Sequence, residues 1–117
     1  MATKDLECST FQRRPAYRYI RESDRLPSVD DVEAEPIARI KLFDPAGGWS
    51  WYIAAYDPQT RTAFGLVDGF EKELGYISME ELVNHRGRFG LPIERDLYWT
   101  PRPLSQLYAS PQARGQG

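Results

Sequence analysis

The stretch GLPIERDLYWTP, residues 90–101, sets two carboxylates, Glu94 and Asp96, on either side of Arg95. In an extended chain the two acids point to one face, with roughly 6.5 Å between their Cα atoms, and Arg95 points to the other. Carboxylates so placed can work as an acid–base pair or hold a hard cation such as Mg²⁺. Glu71 and Glu73 flank Lys72 in GFEKELGY and repeat the geometry. Were the two strands neighbours, Glu71, Glu73, Glu94 and Asp96 could converge as the site of a metal-dependent enzyme. The plainer reading is ion pairing, with the planar fork of Arg95 satisfying a loop or a helix end. Spacing of i, i+2 on one strand is weak evidence for convergence, so the plainer reading is favoured. No catalytic residue, metal or cofactor is assigned.

Other catalytic equipment is sparse. His85 is the single histidine and Cys8 the single cysteine, so a zinc site of the usual Cys/His kind lacks ligands and no intramolecular disulfide can form. A Ser-His-Asp or Cys-His arrangement would have to use His85, which lies in NHRGRFG at an expected helix end, where a capping or exposed histidine is ordinary. The glycines of PAGG and GLVDG lack the Gly-Lys-Ser/Thr order of a phosphate-binding loop and read as turn residues. Trp49, Trp51 and Tyr52, with Tyr98 and Trp99, could form a stacking platform for bases. Trp51 on a strand face reads better as core, and Trp99 before Pro101 and near Arg102 as partly exposed.

The chain of 117 residues suits one domain, and its net charge of −2 argues against a strongly basic nucleic-acid binder and against an acidic DNA mimic. With no apolar leader region and no run of about eighteen apolar residues, the expectation is a cytoplasmic protein with no membrane partner. Locally, Arg13, Arg14, Arg18, Arg21 and Arg25 precede Asp30, Asp31, Glu33 and Glu35. The basic run could touch phosphates, which makes a nucleic-acid-binding module the second functional reading. A solvated face paired with the acids that follow is the plainer one.

Residues 1–36 show weak apolar periodicity and read as an irregular arm, with Phe11, Tyr17, Tyr19 and Ile20 enough to dock one short element and a helical turn capped by Ser28. From residue 37 the pattern sharpens into a single domain running to 110, with a frayed tail at 111–117. IARIKLF reads as a strand ended by DPAGG. WSWYIAAYD puts Trp49, Trp51, Ile53 and Ala55 on one face and Tyr52 and Tyr56 on the other. DPQT is a turn, and RTAFGLVDG and FEKELGYIS are two more strands of an antiparallel meander. SMEELVNHRG opens a helix, with Ser78 and Glu81 as a capping box, Met79, Leu82 and Val83 facing inward and Gly87 as the stop. An extended piece at 93–98 and a short helix in PLSQLYAS follow. The expected fold is α+β: a four- or five-stranded, mostly antiparallel sheet with both helices packed on one face.

Three blocks, KLFDPAGGWSWYIAAYD, TAFGLVDGFEKELGYISMEEL and RGRFGLPIERDLYWTPRPLSQL, resemble successive parts of a bacterial single-domain family of unknown function, over roughly residues 36–108. The run from ELGYIS to GLPIERD is the most specific part, and where relatives commonly carry an acid this chain carries Ala55. The resemblance implies a plasmid or integrative-element setting, beside conjugation and antirestriction genes. Together with the sparse catalytic equipment it points to a non-catalytic accessory protein that binds another protein, in a counter-defence role. Arg95, Trp99 and Arg102, with Glu94 and Asp96, are the expected contact residues. A homodimer through an open sheet edge is a further expectation.

Overall fold

The computed structural model describes residues 4–108; the tail expected at 111–117 lies outside them. The centre is a five-stranded antiparallel sheet built from β4 (Ile40–Phe43), β5 (Ser50–Asp57), β6 (Thr62–Asp68), β7 (Lys72–Ser78) and β8 (Glu94–Arg95), in the order β7-β6-β5-β4-β8. Two small pairs complete it: β1 (Asp5–Cys8) with β2 (Arg18–Arg21), and β3 (Ile37–Ala38) with β9 (Arg102–Pro103). The helices α1 (Met79–Val83) and α2 (Leu104–Tyr108) are short.

Turn chemistry fixes the meander. Asp44 closes the β4–β5 connection by accepting from the Ala46 N–H at 3.0 Å, and its carboxylate fills the space that a side chain at Gly47 would need. In the β5–β6 turn Asp57 accepts from the Gln59 N–H at 2.9 Å and from the Thr60 hydroxyl at 3.0 Å, and Arg61 takes a left-handed φ of 57°. Ser78 caps α1 by accepting from the Glu81 N–H, as expected, but the helix ends at Asn84, short of Gly87.

The sheet is covered on both faces. On one, Ile40, Leu42, Ile53, Ala63 and Ile77 meet Met79, Leu82 and Val83 of α1, together with Tyr19, Ile20 and Ile93. On the other, Ala38, Tyr52, Ala54 and Leu66 meet Leu104 and Leu107 of α2. The expected packing of both helices on one face is therefore corrected: α2 follows β9, which pairs with β3, and the chain has crossed to the other side. Each fully buried Leu or Ile contributes about 1.5–3 kcal/mol, so the larger cluster dominates stability.

A bulge in β5 corrects a second expectation. Ile53 faces Gly65 and Ala55 faces Phe64, so Ala54 is an extra residue. The extra residue turns Tyr56 onto the Ile53 face while Tyr52 stays opposite, and the two tyrosines enter different cores. Gly65 is obligatory beside the bulge, because a Cβ there would lie 1.8 Å from the Tyr52 carbonyl oxygen.

The N-terminal residues are more ordered than an irregular arm. Besides β1 and β2 they form three 3₁₀ turns, at Pro15–Tyr17, Glu22–Asp24 and Val29–Asp31, the last capped by Ser28 as expected. Tyr19 and Ile20 are fully buried, and the Tyr19 hydroxyl donates to the Ile93 carbonyl at 2.6 Å. Glu7, itself 2% exposed, takes the Tyr56 hydroxyl and the fork of Arg61, whose Nε and Nη2 lie 3.1 and 2.8 Å from its two oxygens. These bonds fasten β1 to the β5–β6 hairpin and neutralise a carboxylate that burial alone would not tolerate.

Candidate functional site

β8 pairs with β4 through Leu42 opposite Arg95 and Phe43 opposite Glu94, and this edge carries the first acidic triplet. The second acidic pair belongs to the other edge, since β7 is the strand farthest from β8. Four inter-strand steps of about 4.8 Å separate the edges, roughly 19 Å, whereas ligand oxygens must lie within ~2.6 Å of one ion. Glu71 and Glu73 therefore do not join Glu94 and Asp96. Among the described residues no three His, Cys, Asp or Glu side chains are grouped to hold a metal. Asp96 is a turn-former: its Oδ1 accepts from the Tyr98 N–H at 2.9 Å and its carbonyl from the Trp99 N–H at 3.3 Å.

Arg95 answers to architecture. Its Nη1 and Nη2 each lie 2.8 Å from Asp24, in the fork geometry of a bidentate pair, and Nη1 also donates to the Tyr19 carbonyl at 3.3 Å. At 19% side-chain exposure against 13% for Asp24, the pair is mostly withdrawn from water. The expectation of Arg95 as an exposed anchor is corrected, and that of a fork satisfying a neighbouring turn is the one observed: Asp24 also accepts from the Arg21 N–H at 2.7 Å and ends a 3₁₀ turn.

The aromatic set divides. Trp49 lies over Gly69, with Phe70 edge-on at 5.4 Å and Trp51 at 6.2 Å, and Trp51 packs on the α1-side core. Tyr52 and Trp99 meet at 5.3 Å on the opposite face. One platform carrying all of them does not form. Trp99 is half-buried, its Nε1 donating to the Ala38 carbonyl at 2.9 Å, and the Arg102 guanidinium lies 4.4 Å from its ring centre. Burial, and then the nearby Asp68 charge, push the Tyr52 hydroxyl pKa upward.

Between the N-terminal hairpin and the β8 edge lies a cleft of about 340 Å³. β2 and the turn after it supply Arg18, Arg21 and Asp24; the joint between β3 and β4 supplies Arg39; β8 and the following turn supply Arg95, Asp96, Leu97 and Trp99. Parts of two groups that sequence reading kept apart, Arg18 and Arg21 of the basic run and Arg95 and Asp96 of the ERD triplet, thus share one cavity, while Glu94 does not line it. Arg18 and Arg21 each stand 3.6 Å from Asp5, too far for a hydrogen bond, and Arg39 reaches the exposed Glu33 at 3.3 Å. The Arg39 Nε is buried without an acceptor. Arg13, Arg14 and Arg25 are exposed and do not line the cleft.

Arg39, Asp24 and Leu97 were not singled out from the sequence. Arg39 carried no signal that set it apart, since a cation between apolar neighbours in IARIKLF is the ordinary alternation of a strand. His85 lies at the end of α1, half-exposed, with its Nε2 3.8 Å from Asp44 and outside the cleft.

Beside the cleft the chain presents apolar side chains to water. Tyr98 is 94% exposed and Leu97 55%, on the turn that Asp96 and Trp99 hold in place.

No match is found among curated proteins or among solved structures. Residues 15–117 match the model of the family described as Protein of unknown function (DUF2958), a span that includes β2, the whole sheet and every residue lining the cleft. The chain belongs to that family.

Proposed function

We propose that the protein is a non-catalytic binding module that engages another protein through residues 96–102 and the arginine-lined cleft beside them. The observation that carries this reading is Tyr98, exposed to 94% on a turn whose geometry is fixed by two hydrogen bonds to Asp96 and by the anchored Trp99. A rigidly presented tyrosine, flanked by Leu97 and by Arg102 stacked on a tryptophan, has the composition of an interface hot spot at low ordering cost. The mobile-element setting implied by the sequence resemblance makes a host or defence protein the class of partner to seek.

Nucleic acid is the weaker reading. Arg18 and Arg21 of the basic run share Asp5, and Asp24 and Asp96 add further carboxylates that would face a phosphate backbone. The test is capture from nuclease-treated host lysate with wild type and with Tyr98→Ala/Arg102→Ala, scored by mass spectrometry. A protein retained by wild type and lost by the variant is expected. Capture that disappears with nuclease, or that the variant retains in full, would contradict the reading.

A further inference from the structure

We infer that the arginine cleft is a receptor for a carboxylate group: the side chain of an aspartate or glutamate in an acidic segment of the partner protein. This rests on the protein-binding reading and names what the partner must bring. Four arginines line the cleft against two aspartates, and one of the four, Arg95, is spent on Asp24. Arg18 also donates its Nε to the Arg13 carbonyl at 3.0 Å, which leaves Arg21 and Arg39 the less firmly held: Arg21 stands 3.6 Å from an Asp5 that Arg18 shares, and Arg39 has a solvent-exposed partner in Glu33. Exposed pairs of that kind stabilise little and exchange readily.

The Arg39 Nε is the most specific clue. A buried N–H with no acceptor carries a desolvation cost of about 1–3 kcal/mol, which an incoming oxygen would remove. The neighbouring Nη2 holds the exposed Glu33 at 3.3 Å, and exchange of that carboxylate for an incoming one would complete an Nε/Nη2 fork on its two oxygens. Phosphate shares that geometry but carries −1.5 to −2 charges. Attraction to the four arginines and repulsion from Asp5, Asp24 and Asp96 both scale with the ligand's charge, so charge alone does not choose between the two. An unmodified protein partner carries carboxylates, which makes an acidic side chain the occupant. The volume of about 340 Å³ takes a side chain or two, and Leu97 and Trp99 on one wall offer an apolar rest for the residue next to the acid.

The experiment is an NMR titration of the full chain with a capped hexapeptide of alternating Glu and Leu. Its Gln/Leu counterpart, inorganic phosphate and a single-stranded oligonucleotide serve as comparisons. Expected are saturable shifts of the Arg39 side-chain Nε–H and of the Arg21 and Leu97 amides, binding at least ~10-fold weaker for the Gln peptide, and a similar loss in Arg39→Gln with its melting temperature preserved. Should Arg39→Gln fail to fold, Arg18→Gln, at a more exposed position, takes its place. Equal binding of the Glu and Gln peptides, unaltered affinity in the arginine variant, or tighter binding of phosphate or oligonucleotide would each overturn the inference. If the Glu peptide does not bind while Tyr98-dependent capture of a protein persists, the carboxylate inference falls and the protein-binding reading stands. If the peptide binds as expected but capture is nuclease-sensitive, the protein-binding reading falls and takes with it the assignment of the carboxylate to a partner protein.

Discussion

Arg95 on β8 and Arg102 on β9 do opposite work. Arg95 is locked to Asp24 and to the Tyr19 carbonyl, so Arg95→Ala leaves a mostly buried carboxylate unpaired and is expected to cost about 2–4 kcal/mol in urea denaturation. Arg102 lies over the Trp99 ring in solvent, and Arg102→Ala should cost less than ~1 kcal/mol. Equal losses would contradict the division between architecture and surface. The fork of Arg95 was legible as a type of interaction from its two acidic neighbours, yet its true partner lies 71 residues away, a distance that local pattern cannot bridge. Tyrosine burial has a consequence at high pH. Burial pushes the Tyr19 hydroxyl pKa well above its usual value; burial and then the bond to the Glu7 carboxylate do the same for Tyr56. The fold thus keeps protons that the unfolded chain releases near pH 10, so stability is full below that pH and falls above it. Each tyrosine should contribute about 1.4 kcal/mol to the decline between pH 9 and 11. Denaturation between pH 9 and 11 checks this, and Tyr56→Phe should flatten the slope by that share.

At the scale of elements, β6 and β7 hold two facing glycines with different obligations. Gly65 must remain bare because the bulge brings the Tyr52 carbonyl against it, whereas a Cβ on Gly75, directly across, meets nothing within 4 Å. Gly65→Ala is therefore expected to cost more than ~3 kcal/mol, and Gly75→Ala to be neutral or to stabilise by about 0.5 kcal/mol. Thermal melts of the two variants decide it, and similar melting temperatures would refute the bulge account. The strands themselves were readable, since alternation in β4 to β7 and the Pro-bearing turns follow directly from the pleat and from preset φ. The bulge was not. WSWYIAAYD keeps its alternation through Ala54 and Ala55, which carry too little side chain to reveal which of them is extra. The capping box was legible because Ser78 and Glu81 act across three residues, within the reach of local chemistry.

The order of strands is a property of the whole molecule, and it decided what the acidic pairs can do. Nothing local to EKE or ERD indicates that one ends on β7 and the other on β8, at opposite edges. The N-terminal residues read as irregular for a related reason: their periodicity is weak because only Tyr19 and Ile20 are fully buried in the larger core, with Leu6 and Leu26 partly buried against it, while Glu7 and Asp24 bond to distant residues. Deleting residues 1–27 should abolish cooperative unfolding, because it removes two fully buried side chains and the Pro27 carbonyl that accepts from the Tyr56 N–H at 2.9 Å. A truncated chain that melts sharply near the wild-type temperature would show that these residues are dispensable. On this intact scaffold, residues 96–102 run from the end of β8 into β9, and Phe70, 89% exposed, lies in the β6–β7 connection. The most direct test of function installs a photo-crosslinking phenylalanine analogue in the full-length chain, at position 98 in one protein and at position 70 in another, and irradiates cells expressing each. The binding account predicts a discrete protein adduct from position 98 that position 70 does not give. Adducts to nucleic acid alone, or identical protein adducts from both positions, would contradict it.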